Sequence, residues 1–155
     1  LAGAILSGLG GRFDPPPGAV ISPLQWHPEP NARLLNRSAD RLAFSTNAAV
    51  RTKLRCPEAG RYVFEIAAQG TLAAGQGPII TLQLAGREVG RVEVTSQTWA
   101  SYELSADVPA GEAGLVLSFV NDLWRPPEDR NVEIGKITVR PVGPADRPAG
   151  PSRGP

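Results

Sequence analysis

The sequence predicts an all-β fold, a sandwich or barrel of about eight short antiparallel strands. Three observations lead there. From residue 42 onward apolar and polar residues alternate with a period of two, the pattern of a strand with one buried and one wet face. Seventeen glycines and sixteen prolines among 155 residues punctuate that alternation with turns. No helical pattern of about 10 to 15 residues separates the runs, which excludes parallel βαβ units.

The elements follow in order. Residues 1–11, LAGAILSGLGG, are mildly apolar but too short and glycine-broken for a membrane span of about 20 residues. FDPPPGAVISPLQWHPEP, 13–30, is too proline-rich to be helical and reads as an extended entry segment with one short strand around Val20 to Leu24. NARLLNRSADRL, 31–42, holds at most one turn of helix, capped by Asn31, with Arg33, Arg37 and Arg41 as a solvated stripe. AVRTKLRC sets Val50, Thr52, Leu54 and Cys56 inward. PEAG turns the chain, and RYVFEIAA sets Tyr62, Phe64, Ile66 and Ala68 on one face. PIITLQLA and REVGRVEV form a hairpin turning at Ala85-Gly86-Arg87. TWASYELSADV follows, with Trp99 expected in the core, then LVLSFV and finally NVEIGKITVRPV. The domain division is a 1–40 arm, a 41–142 sandwich and a Pro/Gly-rich tail, 143–155.

Several function classes are excluded by composition. A net charge of +1 leaves no electrostatic footprint for nucleic acid or for an anionic membrane surface. Cys56 is the single cysteine, so neither an intrachain disulfide nor a cysteine zinc site can form. His27, the single histidine, lies between Trp26 and Pro28 without a nucleophile-elbow motif, and reads as a packing or turn residue. GTLAAGQGP, 70–78, lacks the Lys-Ser/Thr and the helix of a phosphate-cradling loop and is placed beside the 121–131 loop at one end of the sandwich. No pair of acids stands in a glycosidase motif. The chain is read as non-enzymatic. The absence of any methionine, even at position 1, points to a processed product or a module of a larger protein.

The informative segment is NDLWRPPEDRN, 121–131. It offers the carboxylates of Asp122, Glu128 and Asp129 with amide and backbone oxygens, a set chemically sufficient for Ca²⁺. The same residues allow another arrangement, in which Asn121 and Asp122 cap a strand end and Arg125 and Arg130 neutralise Asp129 and Glu128. Trp124, between charged neighbours, is expected to be partly exposed, where it can stack on a sugar ring, fill a pocket on a protein partner or pack back on its own sandwich.

From Phe44 to Val139 the chain resembles the calcium-dependent, xylan-binding type of carbohydrate-binding module. The resemblance runs through AFSTNAAVRTKLRCPEAGRYVFEIAAQGT, GPIITLQLAGREVGRVEV and VLSFVNDLWRPPEDRNVEIGKITV, and FVND followed by EDRN is its distinctive part. It implies a jelly-roll β-sandwich whose end loops hold Ca²⁺. Residue by residue, it implies Asp122 and Asp129 as metal ligands, with the Trp124 carbonyl and the Asn121 and Asn131 side chains beside them. Beside what the resemblance implies, Trp124, Arg125 and Glu128 are read from the loop itself as the residues that would contact a ligand. The implied protein is a non-catalytic, extracytoplasmic (periplasmic or secreted) carbohydrate-binding module whose partner is a polysaccharide or other glycan. A second reading is an accessory subunit using the jelly roll, the proline-rich arm and the tail to dock on protein partners in a larger assembly.

Overall fold

The computed structural model describes residues 4–5, 19–30, 32 and 35–142. The 143–155 tail and the Asn31 cap lie outside them. Long strands appear where the alternation is long: β6 (Ala48–Cys56), β7 (Gly60–Gly70), β8 (Ile79–Leu84), β9 (Arg87–Glu93), β10 (Ala100–Val108), β11 (Gly111–Phe119) and β14 (Val132–Pro141). Short ones fill the gaps: β1 (Ala4–Ile5), β2 (Ala19–Ile21), β3 (His27–Pro28), β4 (Leu35–Arg37), β5 (Leu42–Phe44), β12 (Leu123–Arg125) and β13 (Glu128–Arg130).

The strands form a jelly-roll sandwich. One sheet runs β1-β6-β11-β8-β9, with β3 also paired to β6; the other runs β10-β7-β14-β5-β4, with β2 also paired to β14. Every pairing is antiparallel except β1 on β6. Strands β5 and β2 share one edge of β14, pairing at Val132–Ile134 and Ile137–Val139, and the register against β7 shifts between Ile134 and Ile137. The predicted Ala85-Gly86 turn is present, with both residues at positive φ (52° and 83°), the geometry that matches the twist of a two-residue hairpin.

The core lies between the sheets and takes the inward residues that the alternation predicts, Val50, Leu54, Cys56, Tyr62, Phe64, Ile66 and Ala68 among them. Phe44 meets Phe119 edge to face at 6.3 Å. Burial pushes the Cys56 thiol up to about 11, against a hydrogen bond with Tyr62 that lowers it. The Tyr62 hydroxyl, pushed up to about 12 chiefly by the same burial, donates to the Glu58 carbonyl.

Four expectations are corrected. The helical turn over 31–42 is absent where the chain is described: Leu35–Arg37 is strand, because Leu42 and Phe44 alternate inward on the adjacent β5 and β4 pairs with it. Arg37 donates to the Trp26 carbonyl and Arg41 pairs with Glu133, so neither belongs to a merely solvated stripe. The strand expected around Val20 to Leu24 occupies Ala19–Ile21, and Ser22 turns the chain into a single 3-10 turn at Pro23–Gln25. The sandwich reaches into the nominal 1–40 arm, since Ile21 and Trp26 are fully buried and β1, β2 and β3 add to its own sheets. Trp26, not Trp99, is the core indole; Trp99 keeps 43% of its surface exposed. Among the described residues no helix is long and apolar enough to cross a membrane.

Candidate functional site

Packing of Phe119 against Phe44 fixes the point where the chain leaves β11. Two residues later the Asn121 side chain replaces missing ladder bonds: Oδ1 accepts from the Ile79 N–H at 2.6 Å and Nδ2 donates to the Gly77 carbonyl at 3.1 Å. The Asp122 N–H donates to Asn47 Oδ1 at 2.8 Å. The chain then folds back on itself. Strands β12 and β13 pair Leu123 with Arg130, Trp124 with Asp129 and Arg125 with Glu128, around Pro126-Pro127, whose peptide bond is cis.

Directly opposed residues of an antiparallel pair share a face, and neighbours along a strand alternate. This ribbon therefore has two chemically different sides. Leu123, Arg125, Glu128 and Arg130 occupy one; Trp124 and Asp129 occupy the other. Continuing the register by one rung puts Asp122 opposite Asn131 on the Trp124 side.

The first side anchors the ribbon to the 70–78 loop, which lies beside it as expected. Arg130 is 5% exposed, and its guanidinium donates to three backbone carbonyls, of Gln76 (3.0 Å), Asn121 (2.6 Å) and Ala73 (2.6 Å). It does not neutralise Asp129 or Glu128, because its planar fork is spent on these carbonyls, of which those of Ala73 and Gln76 also accept each other's backbone N–H. Glu128 accepts from the Ala74 N–H at 2.8 Å. Thr71 Oγ1 donates to the Asp129 carbonyl at 2.5 Å and accepts from the Asn131 N–H at 2.9 Å. Glycines permit this approach: a Cβ on Gly70 would lie 2.9 Å from the Asn131 carbonyl, and one on Gly77 would collide with that of Val94.

The second side is left for something else. Trp124 is 72% exposed. Asn131 Nδ2 donates to Asp129 Oδ2 at 3.1 Å. Asp122 Oδ1 and Asn131 Oδ1 are both buried with no hydrogen-bond partner, an arrangement that costs about 1–3 kcal/mol per group when nothing fills it. A hard cation satisfies such oxygens. Among the described residues no three His, Cys, Asp or Glu side chains converge; Ca²⁺, which also takes amide and backbone oxygens, is the metal this mixed set suits.

Of the seven sequence-predicted residues, Asp122, Trp124, Asp129 and Asn131 share the open side. Asn121 sits at its base with both amide ends bonded to backbone, and Arg125 and Glu128 are on the anchoring side. Sequence reasoning missed Asn47, distant in the chain, and the anchoring role of Arg130; the STN turn at 45–47 was the available signal for the first.

The chain is a two-sheet jelly-roll β-sandwich whose end-loop ribbon carries an exposed indole, and its family is one of non-catalytic carbohydrate-binding modules. The chain belongs to the CBM60 family, Ca-dependent xylan-binding carbohydrate-binding modules, whose model matches residues 63–152, more than half of the sequence. No curated protein matches it. Among solved structures, the chain is similar to the CBM36-1 domain of a multidomain xylanase from the hindgut metagenome of Trinervitermes trinervoides. That match has a TM-score of 0.62 and 11% identity, over 80% of this chain and 97% of that one. A family 35 carbohydrate-binding module from Clostridium thermocellum gives 0.55 and 11%, over 77% and 95%. A CBM36 module in complex with calcium and xylotriose gives 0.50 and 12%, over 74% and 98%. At these identities the likeness shows the fold.

Proposed function

We propose that this module binds a xylan-type polysaccharide through a Ca²⁺ ion held on the open side of the 121–131 ribbon. Asp122, Asp129 and Asn131 are the side-chain ligands and the Trp124 carbonyl is a backbone ligand, while Asn121 holds the base of the ribbon in place. Bound there, the ion supplies a Lewis-acidic contact for vicinal sugar hydroxyls. Trp124 gives the sugar a stacking surface; Arg125 and Glu128 lie on the anchoring side, where the Ala74 N–H donates to Glu128, and are not sugar contacts in this reading. In this reading the module works outside the cytoplasm, where polysaccharide is met.

The observation that carries the reading is the pair of buried, partnerless oxygens, Asp122 Oδ1 and Asn131 Oδ1, on the side that bears Asp129 and Trp124. Two acceptors without a donor call for a cation. The protein-docking alternative draws no support from the arm, whose described strands pair with their own sandwich.

Thermal unfolding followed through a Ca²⁺ titration, against an EDTA control, tests it. A ligand that binds only the native state raises its melting temperature, so a rise of several degrees is expected in the wild type and none in Asp122→Ala. A wild-type melting temperature indifferent to Ca²⁺ refutes the assignment.

A further inference from the structure

The outer face of the second sheet carries another constellation that the ribbon does not use. Trp99 precedes β10 and lies over Gly135 of β14, where a Cβ would stand 3.3 Å from the indole and 3.4 Å from Ala67 Cβ. The loop that presents it is fixed: Ser96 N–H donates to the Tyr102 hydroxyl at 3.1 Å, Thr98 N–H to Ser96 Oγ at 3.2 Å, and Gly70 N–H to the Ser96 carbonyl at 3.0 Å. The Arg41 guanidinium lies over the indole ring, 5.8 Å from its centroid. Arg41 Nη1 and Gln69 Nε2 both donate to Glu133 Oε1, at 2.9 and 2.6 Å.

That arrangement leaves matched groups unspent. Among the described residues Glu133 Oε2 and Gln69 Oε1 accept no hydrogen bond, and Arg41 Nη2 donates none. An indole with 43% of its surface open, beside the Arg41–Glu133–Gln69 cluster, offers one pyranose ring both kinds of contact: its apolar face on the part of the indole that Arg41 leaves open, its hydroxyls on the polar groups. Glu133 is two residues from Asn131, about 7 Å along an extended chain, so one polysaccharide can reach both places.

We propose that Trp99, Arg41, Glu133 and Gln69 form a second polysaccharide-binding subsite that takes a sugar unit without metal. It uses none of the proposed calcium ligands, so it stands or falls separately from that reading.

The test is a xylohexaose titration of the ¹⁵N-labelled full chain, in Ca²⁺ and in EDTA, following the indole N–H signals of Trp26, Trp99 and Trp124. The Trp99 signal is expected to shift in both buffers, and to do so still in Asp122→Ala, while that of buried Trp26 stays. Trp99→Ala should weaken binding in EDTA about tenfold, and Trp99→Phe should recover part of it at an unchanged melting temperature. A Trp99 signal that never moves overturns the proposal. So does one that moves only in Ca²⁺ and is lost in Asp122→Ala, which assigns Trp99 to the calcium site instead.

Discussion

Arg130 Nη1 donates to the carbonyl of Asn121 at 2.6 Å, tying the residue that opens the ribbon to one near its close. With its bonds to Gln76 and Ala73, this one guanidinium serves three backbone oxygens of two loops. Arg130→Ala is expected to lower unfolding stability by about 2–3 kcal/mol, since three charge-assisted bonds are lost while the Ala73 and Gln76 carbonyls keep their backbone partners. Arg130→Lys should recover only part, because an ammonium lacks the planar fork. Urea unfolding of the two variants measures both.

Asp122 separates calcium from fold. With EDTA present, Asp122→Asn removes a negative charge whose Oδ1 no donor reaches, so the melting temperature is expected to stay level or rise. With Ca²⁺ present the same variant should lack the wild-type increase. A variant destabilised equally in both buffers would show that the carboxylate serves the fold rather than the ion.

The two indoles Trp124 and Trp26 should respond oppositely to truncation. Trp124→Ala removes a 72% exposed side chain and is expected to change stability by no more than about 0.5 kcal/mol while weakening xylan retention in affinity electrophoresis. Trp26→Ala empties a fully buried site and should cost about 3–5 kcal/mol.

Alkaline pH should find the Cys56–Tyr62 corner. The native state holds the thiol proton up to about 11, from an ordinary value of 9.0, and the phenol proton up to about 12, from 10.0. The unfolded chain releases both earlier. Stability from these groups is therefore full below about pH 9 and falls as pH rises to about 11 and 12, by up to about 1.4 kcal/mol per unit for each group titrating. Urea midpoints between pH 8 and 11 should decline in the wild type and decline less in Cys56→Ala.

The long strands were legible because their alternation runs for six residues or more. Strands β1, β3, β4, β5, β12 and β13 were not, since two or three residues carry no period. The arginine spacing across 31–42 imitates a helix, yet Arg37 and Arg41 are placed by the Trp26 carbonyl and by Glu133, partners distant in sequence. Trp99 is expected in the core from the sequence; Gly135, 36 positions on, gives it a seat on the outside. The sequence offers Asn121, Asp122, Trp124, Arg125, Glu128, Asp129 and Asn131 only as a composition, without saying which of them share a side. That division follows from a register turning at Pro126-Pro127, which neither proline announces as a hairpin. Arg130 shows the same limit: the residue looks like a counter-ion to its neighbours until the loop it holds is known.

The two-sided ribbon has a consequence for how such a module can change. Its attachment to the sandwich is made by backbone atoms, Asn121, Thr71, Glu128 and Arg130. Positions 124 and 129 face away from that attachment. They can be rewritten with little penalty to folding, so in the proposed reading the ribbon is a replaceable reading head on a fixed mount, where substitutions alter glycan contacts and leave the mount intact.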